Sequence, residues 1–450
     1  MKIFKGMLFA CMSLTVNSDC DIMKLASVLI TYIILMQVSF VPVLCQEPYS
    51  DDHGEVREMV LDHSLKTVQL FREGWPMSYP VVRLTGDVPL VLVFDDLSKD
   101  QPTFMYRMIH CNADWTPSDL TELEYLEGYP ENEIRNSTPS FSTYTTYLHY
   151  RLQIPNEDIR MTLSGNYLLL VYRDGNPDDV VFTKRFMVTE SRVNIEASAH
   201  IPDLSQYKGC CQEVDFTVKH SGITIDDPFS ETRTMIYQNG LWDMGIDALQ
   251  PYMVNPGELI YDYQEENVFP GGNEFRFFDT KNTRTPTYYV QRIDFIDPYF
   301  HFELKPDHSK SPNNYFSQED INGRYAVEAE GSHDPGVDAD YVFAHFRLDI
   351  PLELEGSVYI AGALTNWQFD DLSRMEYNQE EQAYMKSLLL KQGVYNYRYL
   401  FLPAFNEQFD VAEIEGNHYE TGNEYLILFY HRPPGTRYDR LLGHQVVHSQ

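Results

Sequence analysis

The densest cluster of reactive side chains is Tyr106-Arg107-Met108-Ile109-His110-Cys111-Asn112-Ala113-Asp114-Trp115. A thiol beside an imidazole, with a carboxylate close behind, is the raw material of a nucleophile and its base. On an extended strand, however, adjacent side chains point to opposite faces, so His110 and Cys111 are not placed to share a proton. The alternative is a strand leaving its sheet into a short helical turn, with Trp115 buried and Asp114 or Ser118 capping. Four acidic pairs, Asp95-Asp96, Asp178-Asp179, Asp226-Asp227 and Asp370-Asp371, read as turns. Their oxygens suit calcium, yet none follows the spaced Asp/Asn pattern of a calcium loop, and Asp in turns serves its own local hydrogen bonds. There is no GxSxG, HExxH, GxGxxG after a strand, or GKS/GKT, and no CxxC or Cys/His spacing for zinc. No catalytic, cofactor or metal residue is therefore assigned. The tyrosine-rich stretch Thr143-Tyr144-Thr145-Thr146-Tyr147 reads as a strand face rather than a sugar-stacking platform.

The elements that must carry these residues are short. Apolar runs of strand length include 66–71, 81–84, 90–94, 103–111, 146–152, 167–172 and 180–188. Tyr147–Leu152 alternates, whereas Leu90-Val91-Leu92-Val93-Phe94 is continuous and reads as a strand buried on both faces. Arg173-Asp174-Gly175-Asn176-Pro177-Asp178-Asp179 is a loop too rich in turn residues for helix and joins its flanking runs as a hairpin. The expected fold is all-β, three tandem immunoglobulin-like β-sandwiches, over 46–190, 191–335 and 336–435, with a flexible tail at 436–450. The connection 305–323 is long for a compact domain, so part of it reads as a mobile or binding loop.

Composition supports this. Of 450 residues, 32 are Tyr and 26 Phe, with 24 Gly and 25 Pro as punctuation, which favours strands. The formal charge of −33 argues against a nucleic-acid partner, since phosphate contacts need a basic face. Residues 23–45 read as a secretory signal: Met23-Lys24, an apolar run from Leu25 to Met36, and a cleavage region ending at Cys45. An uncleaved anchor, or lipidation of Cys45, are the alternatives. Residues 1–22 read as an over-extended start. Loss of Lys2, Lys5, Lys24, Asp19 and Asp21 with the leader takes the charge to −34, and of six cysteines leaves Cys111, Cys210 and Cys211, a poor disulfide framework. The adjacent pair reads as two ordinary structural thiols ahead of a redox element, and whether one of them bridges to Cys111 is left open.

The ordered motifs RMIHCNADW from Arg107 to Trp115, EYLEGY around Tyr125 and Gly128, YLHY with His149 and Tyr150, and SGNYLL with Gly165 and Tyr167 resemble the type IX secretion system plug protein family. The resemblance extends through Asp338-Ala339-Asp340-Tyr341-Val342 to the third domain. It implies an exported, non-enzymatic periplasmic protein that sits at the inner mouth of a large outer-membrane translocon barrel and seals it when no substrate is in transit. His110, Cys111, Asn112, Asp114, Trp115, Tyr125, Gly128, His149, Tyr150, Gly165 and Tyr167 are then signature positions, expected to be structural. No cofactor, nucleic acid or small-molecule substrate is implied. Val358–Gly362, Asn366-Trp367 and Gly393–Tyr399 are similar to an early-set, glycogen-binding type of sandwich, which raises a carbohydrate-binding or carbohydrate-processing accessory role as the alternative. That role requires an exposed, flat Trp367, whereas Trp367 is expected to be buried.

Overall fold

Strand Gly165–Arg173 is buried along almost its whole length, and its side chains divide between two cores. Tyr167, Leu169 and Val171 point into one cluster with Leu92, Phe94 and Phe186, while Leu168 and Leu170 point into another with Met235, Leu426 and Leu428. A sheet covered on both faces needs apolar residues at every position, so the run shows no alternation. The computed structural model describes residues 55–86, 88–405 and 408–449, which lie in the unit Tyr49–Gln450. The leader and start segment read at 1–45 fall outside the described residues. Among the described residues, no helix is long and apolar enough to cross a membrane.

The fold is all-β. In the first pair of sheets, Leu65–Arg72, Leu90–Asp96, Leu148–Ile154 and Ser137–Pro139 pack on Met59–Val60, Val180–Thr189, Gly165–Arg173, Phe104–Cys111 and Glu131–Glu133. Leu90–Asp96 is buried on both faces throughout. The hairpin across 174–179 pairs Gly165 with Val188 through to Tyr172 with Val180.

A second pair of sheets sets Asn194–His200, Cys211–Lys219, Glu258–Tyr261 and Met253–Asn255 against Ile246–Leu249, Thr232–Gln238, Glu424–His431 and Arg440–His448. Two sequence expectations are corrected here. The loose tail expected from residue 436 is not one over the described residues, because Arg440–His448 pairs with Glu424–His431 along its length. Glu424–His431 does not join the third unit either: it pairs with Thr232–Gln238. Its alternation explains why. Leu426, Leu428 and Tyr430 face the core shared with the first sheets, and Tyr425, Ile427 and Phe429 face the core of the second pair.

The third pair spans Arg276 to Pro403 and so lies inside the second along the chain. Arg276–Asp279, Gly393–Pro403, Tyr325–Val327 and Gly356–Ala361 pack on Val290–Ile296, Tyr299–Leu304, Tyr341–Asp349, Ala383–Lys391 and Glu376–Asn378. Phe278, Phe302 and Tyr325 share this core with Val342, Val358 and Tyr395, so the hydrogen-bonded sheets do not part at 335/336. The connection 305–323 is pinned, with Phe275 N donating to Asp320 at 2.5 Å and Lys310 Nζ to Glu274 O at 2.9 Å.

Candidate interaction surface

The signature residues form the frame of the first sheets. His110 is 1% exposed, with Nδ1 2.9 Å from Ser118 Oγ and Nε2 3.1 Å from Ser164 O. The rings of Tyr125, Tyr167 and Tyr438 surround it, and burial pushes its pKa down to about 4, so it is neutral at pH 7. Gly165, at φ +140°, leaves room for it: a Cβ there would sit 2.6 Å from His110 Nε2. Cys111 faces the opposite side, into the core with Met235 and Leu428, and burial pushes its thiol up to about 12. A neutral imidazole and a protonated thiol on opposite faces do not make a nucleophile and base.

The turn after Cys111 is not helical. Asp114 Oδ1 accepts from Thr116 N at 3.1 Å and from Thr116 Oγ1 at 2.6 Å, while Asn112 O accepts from Asn166 Nδ2 at 3.0 Å. Trp115 takes φ +60° and is 2% exposed, with the Arg185 guanidinium 4.5 Å over its ring. Tyr125 OH donates to Met108 O at 3.1 Å and Tyr167 OH to Leu163 O at 2.8 Å. Gly128, at φ +110°, lies against Asp158, whose carbonyl is 2.0 Å from where a Cβ would be. Tyr150 stacks on Phe94 with centroids 4.8 Å apart. Cys111, Cys210 and Cys211 are free thiols, which answers the open question of a bridge: Cys111 is sealed in a core cluster.

His149 leads to a group that the sequence hid. Asp95, expected in a turn, instead lies within strand Leu90–Asp96 and is fully buried. Its Oδ1 lies 2.7 Å from His149 Nδ1, and its Oδ2 accepts from Tyr341 OH and Lys391 Nζ, both at 2.6 Å. Lys391 also donates to Gly336 O at 2.6 Å and lies 4.2 Å over the Tyr147 ring; burial lowers its pKa and Asp95 opposes that. Tyr341 OH further meets Thr67 Oγ1 at 2.7 Å. This network joins the first sheets to the third beside a cavity of about 290 Å³ lined by Thr67, Tyr341 and Lys391.

The same junction carries an aromatic surface. Residues 141–147 are loop rather than the strand face expected, because they are tied to the segment that leads into strand Tyr341–Asp349: Tyr144 N donates to Asp340 at 2.6 Å, Phe141 N to Val337 O at 2.8 Å, and Tyr147 OH to Ala339 O at 2.8 Å. Tyr144 then meets Phe295 and Phe300, from the hairpin Val290–Ile296 and Tyr299–Leu304, at 4.9 and 5.5 Å. Phe141, Tyr144, Phe295 and Ile296 are 74%, 58%, 46% and 62% exposed. Large apolar side chains fixed on a hydrogen-bonded frame are the chemistry of an interaction surface.

Trp367 corrects a further expectation. It is half-buried at φ +55°, beside a cleft of about 130 Å³ that Arg324 and Tyr79 also line. Its ring edge packs on Gly323 and its centroid is 6.2 Å from Phe275, edge to face, so it is not a flat platform for a sugar.

Residues 65–190 match the model of the type 9 secretion system plug protein 1st domain, the segment that carries all eleven signature positions. A hypothetical protein from Parabacteroides merdae, known from its crystal structure, is 36% identical, with a TM-score of 0.84 over 87% of this chain and 99% of its own. A marsupial T cell receptor aligns over 76% of this chain and 99% of its own at 8% identity, but its TM-score of 0.14 carries no argument. No curated protein matches. With the first-domain match and a relative aligned along nearly its whole length, the chain belongs to the type IX secretion system plug protein family.

Proposed function

We propose that this protein is a non-enzymatic periplasmic component of type IX secretion that occludes the inner opening of the outer-membrane translocon when no substrate fills it. The match of residues 65–190 to the plug first domain carries the reading. The chemistry of the molecule agrees with it. His110 and Cys111 are neutral and buried, and the exposed features are an aromatic surface and a formal charge of −33. Steric closure needs a large surface and no reaction, and an interface above about 1,000 Å² holds a reversible gate without covalent chemistry.

Affinity purification of tagged protein from its native host in mild detergent is expected to recover a large outer-membrane barrel. Deletion of the gene is expected to make the outer membrane permeable to large molecules. A tagged protein that never brings down a translocon, with an intact barrier in the deletion strain, overturns the proposal.

A further inference from the structure

Strands Asn194–His200 and Cys211–Lys219 carry a cluster outside the segment matched by the plug domain. In their antiparallel register His200 stands opposite Glu213 and Ser198 opposite Asp215. His200, Glu213 and Asp215 therefore share one face of the sheet. One ligand atom from each lies within 4.8 Å of the others. Glu213 is 1% exposed; its Oε2 accepts from Asp203 N at 3.1 Å, and its Oε1 has no hydrogen bond among the described residues. Asp215 Oδ1 accepts from Asn267 Nδ2 at 2.9 Å.

The orientation of His200 is the independent observation. Its Nδ1 lies 3.0 Å from Ile201 O, and a carbonyl only accepts, so Nδ1 carries the proton. In the neutral ring Nε2 is then a lone pair, yet it faces Asp215 Oδ2 at 2.8 Å, a second acceptor. At this distance a proton on the ring or on the carboxylate must hold the pair together, and a cation takes that proton's place if the two atoms part to about 3.4 Å. A backbone carbonyl that fixes the tautomer and aims the other nitrogen is the usual support of a metal-bound histidine.

We propose that His200 Nε2 and one carboxylate oxygen each from Glu213 and Asp215 bind a divalent cation of the zinc class, with solvent in the fourth position. Zinc bonds of about 2.0–2.2 Å put tetrahedral donors about 3.4 Å apart, so the cluster closes by small side-chain rotations. An imidazole among the donors disfavours calcium and magnesium, which take oxygen. The bound ion ties the edge strand Asn194–His200 to its neighbour.

The test is calorimetric titration of chelator-stripped full chain with zinc chloride at pH 7.5. One equivalent is expected to bind, to raise the unfolding temperature, and to release a proton seen as a dependence of the heat on buffer ionisation enthalpy. His200→Ala and Asp215→Asn are each expected to weaken binding at least about 10-fold. Glu213→Gln, nearly isosteric, gives a third variant, and circular dichroism of the metal-free proteins shows that each is folded. Absence of zinc binding, zinc affinity unchanged in folded His200→Ala and Asp215→Asn, or binding of calcium in place of zinc overturns the proposal. None of these outcomes bears on the translocon pull-down, so the two readings fail separately.

Discussion

Replacing Lys391 by Met tests whether the first and third pairs of sheets are held by the buried charge at Asp95. The side chains of Lys391 and Asp95 are 1% and 0% exposed and lie 2.6 Å apart. Removing one partner of such a pair costs about 3–5 kcal/mol, because the remaining charge stays in low dielectric. Two donors soften the loss here: Tyr341 OH still reaches Asp95 Oδ2 at 2.6 Å, and His149, with its side chain 16% exposed, reaches Oδ1 at 2.7 Å. Gly336 O also loses its lysine partner at 2.6 Å, which adds about 1 kcal/mol. The sum is about 3–4 kcal/mol for Lys391→Met. Adding Asp95→Asn removes the orphaned charge, so the double variant is expected to be more stable than additivity predicts by about 2 kcal/mol.

A protein with several cores need not unfold in one step, so the assay is native-state hydrogen exchange on strands Leu90–Asp96 and Tyr341–Asp349. Both strands are expected to lose protection together in Lys391→Met, while Asn194–His200 keeps its own. A loss below about 1 kcal/mol, or strict additivity in the double variant, refutes the view that this pair locks the junction.

His110 makes stability fall in acid. Its imidazole stays neutral in the fold down to about pH 4 but titrates near 6.5 when unfolded, so the unfolded chain binds more protons between those values. The contribution is full above pH 6.5 and falls as the pH drops toward 4, by at most about 3 kcal/mol, and urea midpoints of His110→Gln are expected to change less with pH than those of the native sequence. Asp320, raised to about 6 by burial, acts in the opposite sense, so the difference between variants is the quantity to read. Gly165→Ala is expected to cost about 3 kcal/mol or more in urea unfolding, because φ is +140° and the new Cβ meets His110 Nε2 at 2.6 Å. If docking uses the −33 formal charge, the association rate with the purified translocon falls as salt rises, and a rate independent of salt removes charge from the docking account.

Local features were legible in the sequence, and long-range pairing was not. The continuous run Leu90–Phe94, the hairpin around 174–179 and the buried Trp115 each follow from side chains a few residues apart. Glu424–His431 looked like part of the nearest sandwich because nothing local says that its partner is Thr232–Gln238. The end of the chain read as a tail since the outer half of Arg440–His448 is only partly buried and sets the pair Val446-Val447 between polar His444-Gln445 and His448. Asp95 read as a turn residue because two adjacent acids usually mark one, while the lysine that neutralises it is 296 positions away. Tyr144 and Tyr147 have the composition of a strand, and hydrogen bonds to the distant Ala339 and Asp340 help hold them as loop. His200, Glu213 and Asp215 have no motif spacing at all; strand register alone unites them.

The third pair of sheets is tied in at more than its two chain connections. The chain leaves the second pair before Arg276 and returns to it at Glu424, so the intervening sheets are fixed at both ends. Asp95 with Lys391 anchors them to the first sheets, and Arg324 pairs with Glu424 on the strand that is the shared wall of two cores. Independent motion of the third sheets would break a buried ion pair at each contact, whereas lifting the whole body off a partner breaks neither. Under the occlusion reading, release is therefore expected at the outer surface, where Phe141, Tyr144, Phe295 and Ile296 are exposed, rather than at a hinge within the protein. Substituting those four exposed side chains should shorten the lifetime of the closed complex without altering the fold, because interface changes act mainly on the dissociation rate.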